Sequence, residues 1–245
     1  MKKLLIGFTV LFITSNIFSQ SLAVNTDGST ANNSAMLDVK SITKGFLPPR
    51  MDSTQRNAIA SPATGLTIYN TSINAFQCYN GTAWYSTVHF IGESYDGGIV
   101  FYVYDNGQHG LIASTADQST GIRWAANTSY TRAESDGVTG GSINTAIIIG
   151  NQASVDGNQF AAVMCNAYST TMAGVTYGGW YLPSKYELNL LYLQRVLVGG
   201  FAAADYWSST ENGNGGAWDQ NFGTGVQTTS SKSVATINVR AIRSF

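Results

Sequence analysis

Residues 206–245 combine a few large side chains with many short polar ones, and that mixture limits the fold more than any other feature of the chain. Tyr206, Trp207, Trp218 and Phe222 can bury large apolar areas, whereas the mostly short residues at 212–216, 223–226 and 228–238 contribute little to a core. The backbone and side-chain polar groups of these short residues have to be satisfied in turns or on strand faces open to water. The run therefore predicts strands and hairpins in which aromatic pegs hold a frame and small positions form a surface. Such surfaces bind, and without titratable groups they rarely catalyse. On residue types alone, Gly/Ser/Thr-rich hairpin loops without a ligand remain the alternative.

The chain has 245 residues, enough for one large or two modest domains. Aromatic residues make up 12% and charged residues 11%, a balance that favours a packed, β-rich fold over disorder. Thirteen basic residues face fourteen acidic ones, and Lys2 and Lys3 belong to a segment expected to be removed, so net charge gives no support to a nucleic-acid partner. Met1-Lys-Lys, the apolar run Leu4–Ile13 and small or polar residues to Gln20 form a secretory signal peptide, residues 1–20. The run is too short for a bilayer span of about 20 apolar residues, so no transmembrane segment is expected after its removal. The protein is expected to be secreted or held at the cell surface. Cys78 and Cys165 could pair in an oxidising compartment, but they fall in different modules and are expected to stay separate thiols.

Residues 21–34 are rich in Asn, Ser and Thr and read as a flexible lead-in, and residues 35–87 read as a β-rich connector. Lys44-Gly-Phe-Leu-Pro-Pro-Arg-Met51 is extended because helix is disfavoured at and before proline. Ser53–Ala60 could form a short helix, Leu66/Ile68 and Phe76/Cys78 alternate as strands do, and Asn80-Gly81 marks a tight turn before Trp84. A second unit spans residues 88–245. Gly98–Tyr104, Asn106-Gly107 and Gly110–Ala113 predict strand, turn and return strand. Ala161, Met164, Cys165 and Tyr168 share a helical face. Ser184 with Glu187 forms a capping box ahead of Leu188, Leu191 and Tyr192, and Gly199-Gly200 ends that element. Strands around Trp218–Phe222 and Val239–Phe245 complete an α+β layout, and the glycine-rich Gly137–Ser142 reads as a turn.

The run Ala35-Met-Leu-Asp-Val-Lys, Gly45-Phe-Leu-Pro-Pro-Arg-Met, Gln55-Arg, Pro62-Ala-Thr-Gly-Leu, Tyr69-Asn-Thr and Tyr79-Asn-Gly-Thr-Ala-Trp84 resembles a tail-fibre-like connector module that precedes varied C-terminal domains in secreted bacterial proteins. The resemblance implies a stalk that can be homo-oligomeric. Gly178-Gly-Trp-Tyr-Leu-Pro-Ser-Lys-Tyr-Glu-Leu188, Tyr206-Trp-Ser-Ser-Thr-Glu211 and Val239-Arg-Ala-Ile-Arg243 make residues 88–245 similar to the secreted C-type-lectin-like domain at the C-terminus of collagen-like adhesins. That resemblance implies binding of proteins or carbohydrates at a cell surface. The tail also resembles the variable proteins of diversity-generating retroelements, in which adenine mutation rewrites a C-type-lectin-like surface. Positions 212–216, 219, 221, 223–226, 228–231 and 233–238 carry residue types reachable from mutated Asn codons, whereas Trp218, Gln220, Gln227 and Lys232 stand between them as landmarks.

Neither the Glu-Pro-Asn or Gln-Pro-Asp loop nor the Trp-Asn-Asp triplet of calcium-dependent lectins occurs here, since Trp218-Asp219-Gln220 matches poorly. A formylglycine-generating reaction needs a reactive cysteine pair, and only Cys165 lies in the second unit. His89 and His109 are the only histidines, and a nucleophile assembled around His109 and Asp105 has no supporting spacing. The expectation is a non-enzymatic binding protein without cofactor or metal, a structural fibre component being the main alternative and a formylglycine-generating-like enzyme a lesser one. The expected contacts are Asn212, Asn214, Asp219, Asn221, Thr224, Val226, Thr228, Ser230, Ser233 and Thr236. Trp180, Trp207, Trp218, Phe222, Arg240 and Arg243 are expected to form the frame, the arginines by bonding carboxylates or carbonyls, with Glu211 as a candidate partner.

Overall fold

The computed structural model describes residues 21–152 and 157–245; residues 1–20, expected to be a signal peptide, lie outside the described residues. The chain divides into two compact units at Arg50/Met51. In the first, β1 (Leu22–Val24) pairs in parallel with β2 (Leu37–Val39). Leu-Ala-Val thus carries an ordered strand within a stretch expected to be flexible, because its β-forming residues find a partner strand thirteen residues further on. Side chains fold the intervening loop onto itself: Asn25 Nδ2 donates to the Ser29 carbonyl at 2.7 Å, and Asp38 accepts from the Asn32 amide at 2.8 Å.

The second unit begins with a small sheet. Met51, the second residue of β3 (Arg50–Met51), accepts from the Thr71 amide at 2.9 Å. Helix α1 (Ser53–Asn57) is capped by Asp52, with Gln55 closing the box. Strands β4 (Thr67–Asn70), β5 (Ala75–Tyr79) and β6 (Trp84–Ser86) then form an antiparallel meander. Its inner face differs from the alternation expected at Phe76/Cys78. Ala75 and Gln77 point inward opposite Ile68 and Asn70, while Phe76 is 42% exposed. Gln77 can occupy the inner face because its carbonyl accepts from Asn70 Nδ2 at 2.8 Å and Arg56 Nη1 at 2.7 Å.

Beyond this meander, β7 (Ser94–Tyr95), β8 (Gly98–Tyr104) and β9 (His109–Ala113) form a second antiparallel sheet. The β8–β9 turn runs through Asp105, Asn106 and Gly107, all at positive φ, as the Asn-Gly pair predicts. Helix α2 (Gly140–Gln152) follows, then α3 (Ala161–Ala167), the hairpin β10 (Thr170–Met172)–β11 (Val175–Tyr177), α4 (Lys185–Leu193) and α5 (Arg195–Val198). Three antiparallel strands come next, β12 (Asp205–Asn212), β13 (Gly216–Asn221) and β14 (Gln227–Ser231). Finally β15 (Ile242–Ser244) returns to pair with β9, bringing the carboxyl end of the unit beside one of its early strands. The architecture is mixed α+β.

Two elements depart from expectation in detail. The α4 region breaks at Gln194 and resumes as α5, with Gly199 ending the second piece at φ +76°. The glycine-rich Gly137–Ser142 is a turn only in its first half, since α2 starts at Gly140. Its cap comes from a distant element: the Glu187 carboxylate accepts from the Thr139 amide at 2.7 Å and the Gly141 amide at 3.0 Å. A Cβ on Gly141 would lie 2.4 Å from Glu187 Oε2 and 2.6 Å from the Ser184 nitrogen, so glycine permits this approach. Burial raises the Glu187 carboxyl, opposed by these amide donors and by the Tyr181 hydroxyl.

The core has two parts. Val100, Ile112, Trp124, Phe160, Trp180, Trp207 and Val239 belong to one, and Phe101, Leu111, Leu188, Leu191, Tyr206, Phe222 and Ile242 to the other. Each large buried side chain contributes roughly 1.5–3 kcal/mol relative to exposure. Cys78 and Cys165 are free thiols, and burial pushes the Cys165 thiol well up, so it stays protonated.

Candidate functional site: the β12–β14 hairpins

The long side chains in the C-terminal run each acquire a fixed partner. Gln220 is fully buried and donates to Asn189 Oδ1 at 3.0 Å and to the Gly225 carbonyl at 3.1 Å. Gln227 donates to the Lys185 carbonyl at 3.0 Å and to Gln220 Oε1 at 3.3 Å, so the two glutamines tie the β13–β14 hairpin to α4. Lys232 is fully buried, pairs with Glu211 and donates to the Ser129 carbonyl at 3.0 Å. Glu211 in turn accepts from the amides of Thr131 and Arg132 at 2.7–3.0 Å. Glu211, the candidate partner of the arginines, is therefore met by Lys232, which arrives from the turn just beyond β14, while the arginines take other carboxylates.

Arg240 is fully buried and binds Asp117 at 2.6 Å, together with the carbonyls of Ser114, Gly199 and Gly200. Arg243 is partly exposed and reaches Asp96 at 3.3 Å. Trp180, Trp207 and Phe222 are buried. Trp218 is not a core residue: it is only partly buried, and the Lys185 ammonium sits 3.6 Å from its ring centroid. Strand alternation explains the difference, since Ala217 and Asp219 turn inward and Trp218 turns to the other side.

The small positions divide by exposure. Asn212, Asn214, Thr224, Val226, Thr228, Ser233 and Thr236 are exposed, Val226 at 56%, and Ser230 is partly exposed. Asn221 is partly buried and acts within the turn: its Oδ1 accepts from the amides of Gly223 and Thr224, both at 3.0 Å, and its Nδ2 donates to Asp205 at 2.9 Å. Asp219 is buried, contrary to its expected role as a surface contact. Oδ1 accepts from Thr228 Oγ1 at 2.9 Å, while Oδ2 has no partner. Of the reachable positions, Ile237 and Asn238 are also buried, and Gly225 is held at φ +83° with Tyr192 where a Cβ would go, 2.6 Å away. What remains free to change is Asn212, Asn214 and Gly215 around the β12–β13 turn, Thr224, Val226, most of β14, Ser233, Ala235 and Thr236, whereas Gly213 is held at φ +71° and Val234 packs against the core.

Burial raises the Asp219 carboxyl, and Asp205 adds to the shift. A carboxyl that is more basic in the folded state binds its proton more tightly there than in the unfolded chain, so stability falls as pH rises from the unfolded value to the folded one. Asp219→Asn is expected to be stabilising relative to the wild type above the ordinary carboxylate value of 3.8. Thermal melts of both proteins across the acid range should show that gap open with pH and then level off; equal pH dependence would contradict it.

Sequence reasoning missed Lys185 and Asn189, whose roles depend on α4 meeting the hairpins, and Asp205, which β12–β13 pairing sets opposite Asn221. It also passed over a cleft of about 460 Å³ lined by Arg56, Gln77, Trp84, His89, Glu93 and Tyr95, which shares no lining residue with β12–β14. There His89 Nδ1 lies 2.8 Å from Glu93. His109 and Asp105 lie 3.8 Å apart, both more than half exposed. Among the described residues, no group of three or more His, Cys, Asp and Glu side chains is placed to hold a metal, and no helix is long and apolar enough to cross a membrane. No curated protein matches the chain. Residues 23–127, less than half of the chain, match the family model described as "Phage tail like trimerisation region", which fits the tail-fibre-like resemblance of the N-terminal run.

Proposed function

We propose that this protein is a secreted or surface-held binding protein in which an oligomeric stalk presents a C-type-lectin-like domain. Its β12–β14 hairpins meet a protein or carbohydrate ligand without covalent chemistry. The observation that carries this reading is the partition within residues 212–236. The landmarks Gln220, Gln227 and Lys232 are tied down by hydrogen bonds, while most of the short residues between them are exposed. A frame of this kind can change its surface without changing its core, which suits retroelement-driven diversification of the exposed positions. Affinity would come from many modest polar contacts around Val226 and the Trp218–Lys185 pair.

The experiment is a panel of glycans and surface proteins probed with the full chain and with a variant carrying Ala at Asn214, Thr224, Val226, Ser233 and Thr236. A ligand of the wild type should bind the variant at least about tenfold more weakly, equivalent to ~1.4 kcal/mol, with little change in melting temperature. The trimerisation match favours one other reading, a fibre component without a specific ligand. That reading requires equal binding by the two proteins, or none by either.

A further inference from the structure

We infer that Asn214 is a self-modifying site, whose side-chain amide is lost through a cyclic imide closed by the Gly215 nitrogen, leaving aspartate or isoaspartate at the tip of the β12–β13 hairpin. The Gly215 amide gives its proton to hydroxide and its nitrogen attacks Asn214 Cγ. The Cγ–Nδ2 bond breaks, and ammonia leaves with a proton from water, which returns the hydroxide. A second water then opens the imide. Breaking the new Cγ–N bond gives aspartate; breaking the original peptide bond gives isoaspartate, in which the chain runs through Cβ and Cγ. Glycine favours the closure because no Cβ stands beside the attacking nitrogen.

The sequence holds the pair Asn-Gly at 80–81, 106–107, 212–213 and 214–215, and the fold separates the last from the others. Asn80 Oδ1 accepts from the amides of Thr82 at 2.9 Å and Ala83 at 2.8 Å, so its turn must open before Cγ can meet Gly81. Asn106 is held in the left-handed region at φ +52°, and the buried Gly107 accepts from the His89 amide at 2.8 Å. Asn212 ends β12 in register with Gly216. Asn214 lies outside both strands, and it and Gly215 are exposed. The Gly215 carbonyl accepts from the Lys232 amide at 3.1 Å, but among the described residues no partner holds the Asn214 side chain or the peptide joining the two residues. The product carboxyl is ionised at neutral pH, so each converted chain carries one more negative charge on the exposed hairpin. This inference holds whether or not the hairpins bind a ligand.

The test is incubation of the purified full chain at mildly alkaline pH, followed by peptide mapping with tandem mass spectrometry. Asn214 should gain the mass difference between an amide and an acid, as two separable isomers, at least about tenfold faster than Asn80, Asn106 or Asn212. Its rate should rise in proportion to hydroxide. Gly215→Ala should slow the reaction at Asn214 by a similar factor. A Cβ there meets nothing within 4 Å, and Gly215 is not at positive φ, so an unchanged melting temperature is expected for that variant. In concentrated urea the four asparagines should lose most of their difference in rate. An Asn214 that keeps its amide, equal rates at the four sites in the folded chain, selectivity that survives in urea, or a Gly215→Ala variant reacting as fast as the wild type would each overturn the assignment.

Discussion

Lys232→Met should destabilise the second unit by about 3–5 kcal/mol, the cost typical of leaving one member of a buried ion pair without its partner. The lysine and Glu211 side chains are both wholly removed from solvent, and the ammonium also lies 5.0 Å from the centroid of the Trp124 ring. Methionine nearly fills the volume but leaves the Glu211 carboxylate with only the amides of Thr131 and Arg132 and the Thr131 hydroxyl for company. Adding Glu211→Gln should recover part of the loss, since the amide keeps an acceptor for those donors and removes the orphaned charge. Urea denaturation reads both effects as shifts in midpoint at an unchanged slope. Ser233→Ala, one residue away on the exposed side, should change stability by less than about 0.5 kcal/mol. A Lys232→Met variant as stable as the wild type would show that the run has no fixed frame, and the proposed binding surface would lose its support.

Arg240→Ala should be of similar size, about 3–5 kcal/mol, through a different set of groups. The guanidinium satisfies Asp117 and three backbone carbonyls at once and lies 4.0 Å from the centroid of the Phe201 ring. Asp117 also accepts from the Tyr206 hydroxyl at 2.9 Å, so the loss reaches the start of β12. Arg240→Lys should recover only a fraction, because an ammonium restores charge but not the planar fork that spans Gly199, Gly200 and Ser114. Arg243→Ala should cost no more than about 1 kcal/mol, since its bond to Asp96 is long and partly solvated. Equal effects at the two arginines would contradict the difference in burial.

These contrasts locate what was legible. The Ser184–Glu187 capping box, the α3 helix, the Asn106-Gly107 turn and the mixed α+β class follow from local patterns, because caps, turns and alternation act within a few residues of chain. The separation of long landmarks from short polar positions is likewise a local pattern. Helix α2 was hidden because its N-terminal cap is Glu187, some 46 residues away. The placing of Trp218 against Lys185 of α4 and the burial of Asp219 were hidden because the sign of an alternation depends on which face meets which part of the unit.

The sequence by itself determined where the strands, helices and turns form and which side chains are long enough to anchor, since those are properties of each residue and its near neighbours. Only the tertiary structure decided who anchors whom: Lys232 rather than an arginine for Glu211, Asp117 for Arg240, α4 for the two glutamines. Ion pairs and buried faces join residues far apart in the chain, and their partners are chosen by packing, which no stretch of sequence encodes on its own.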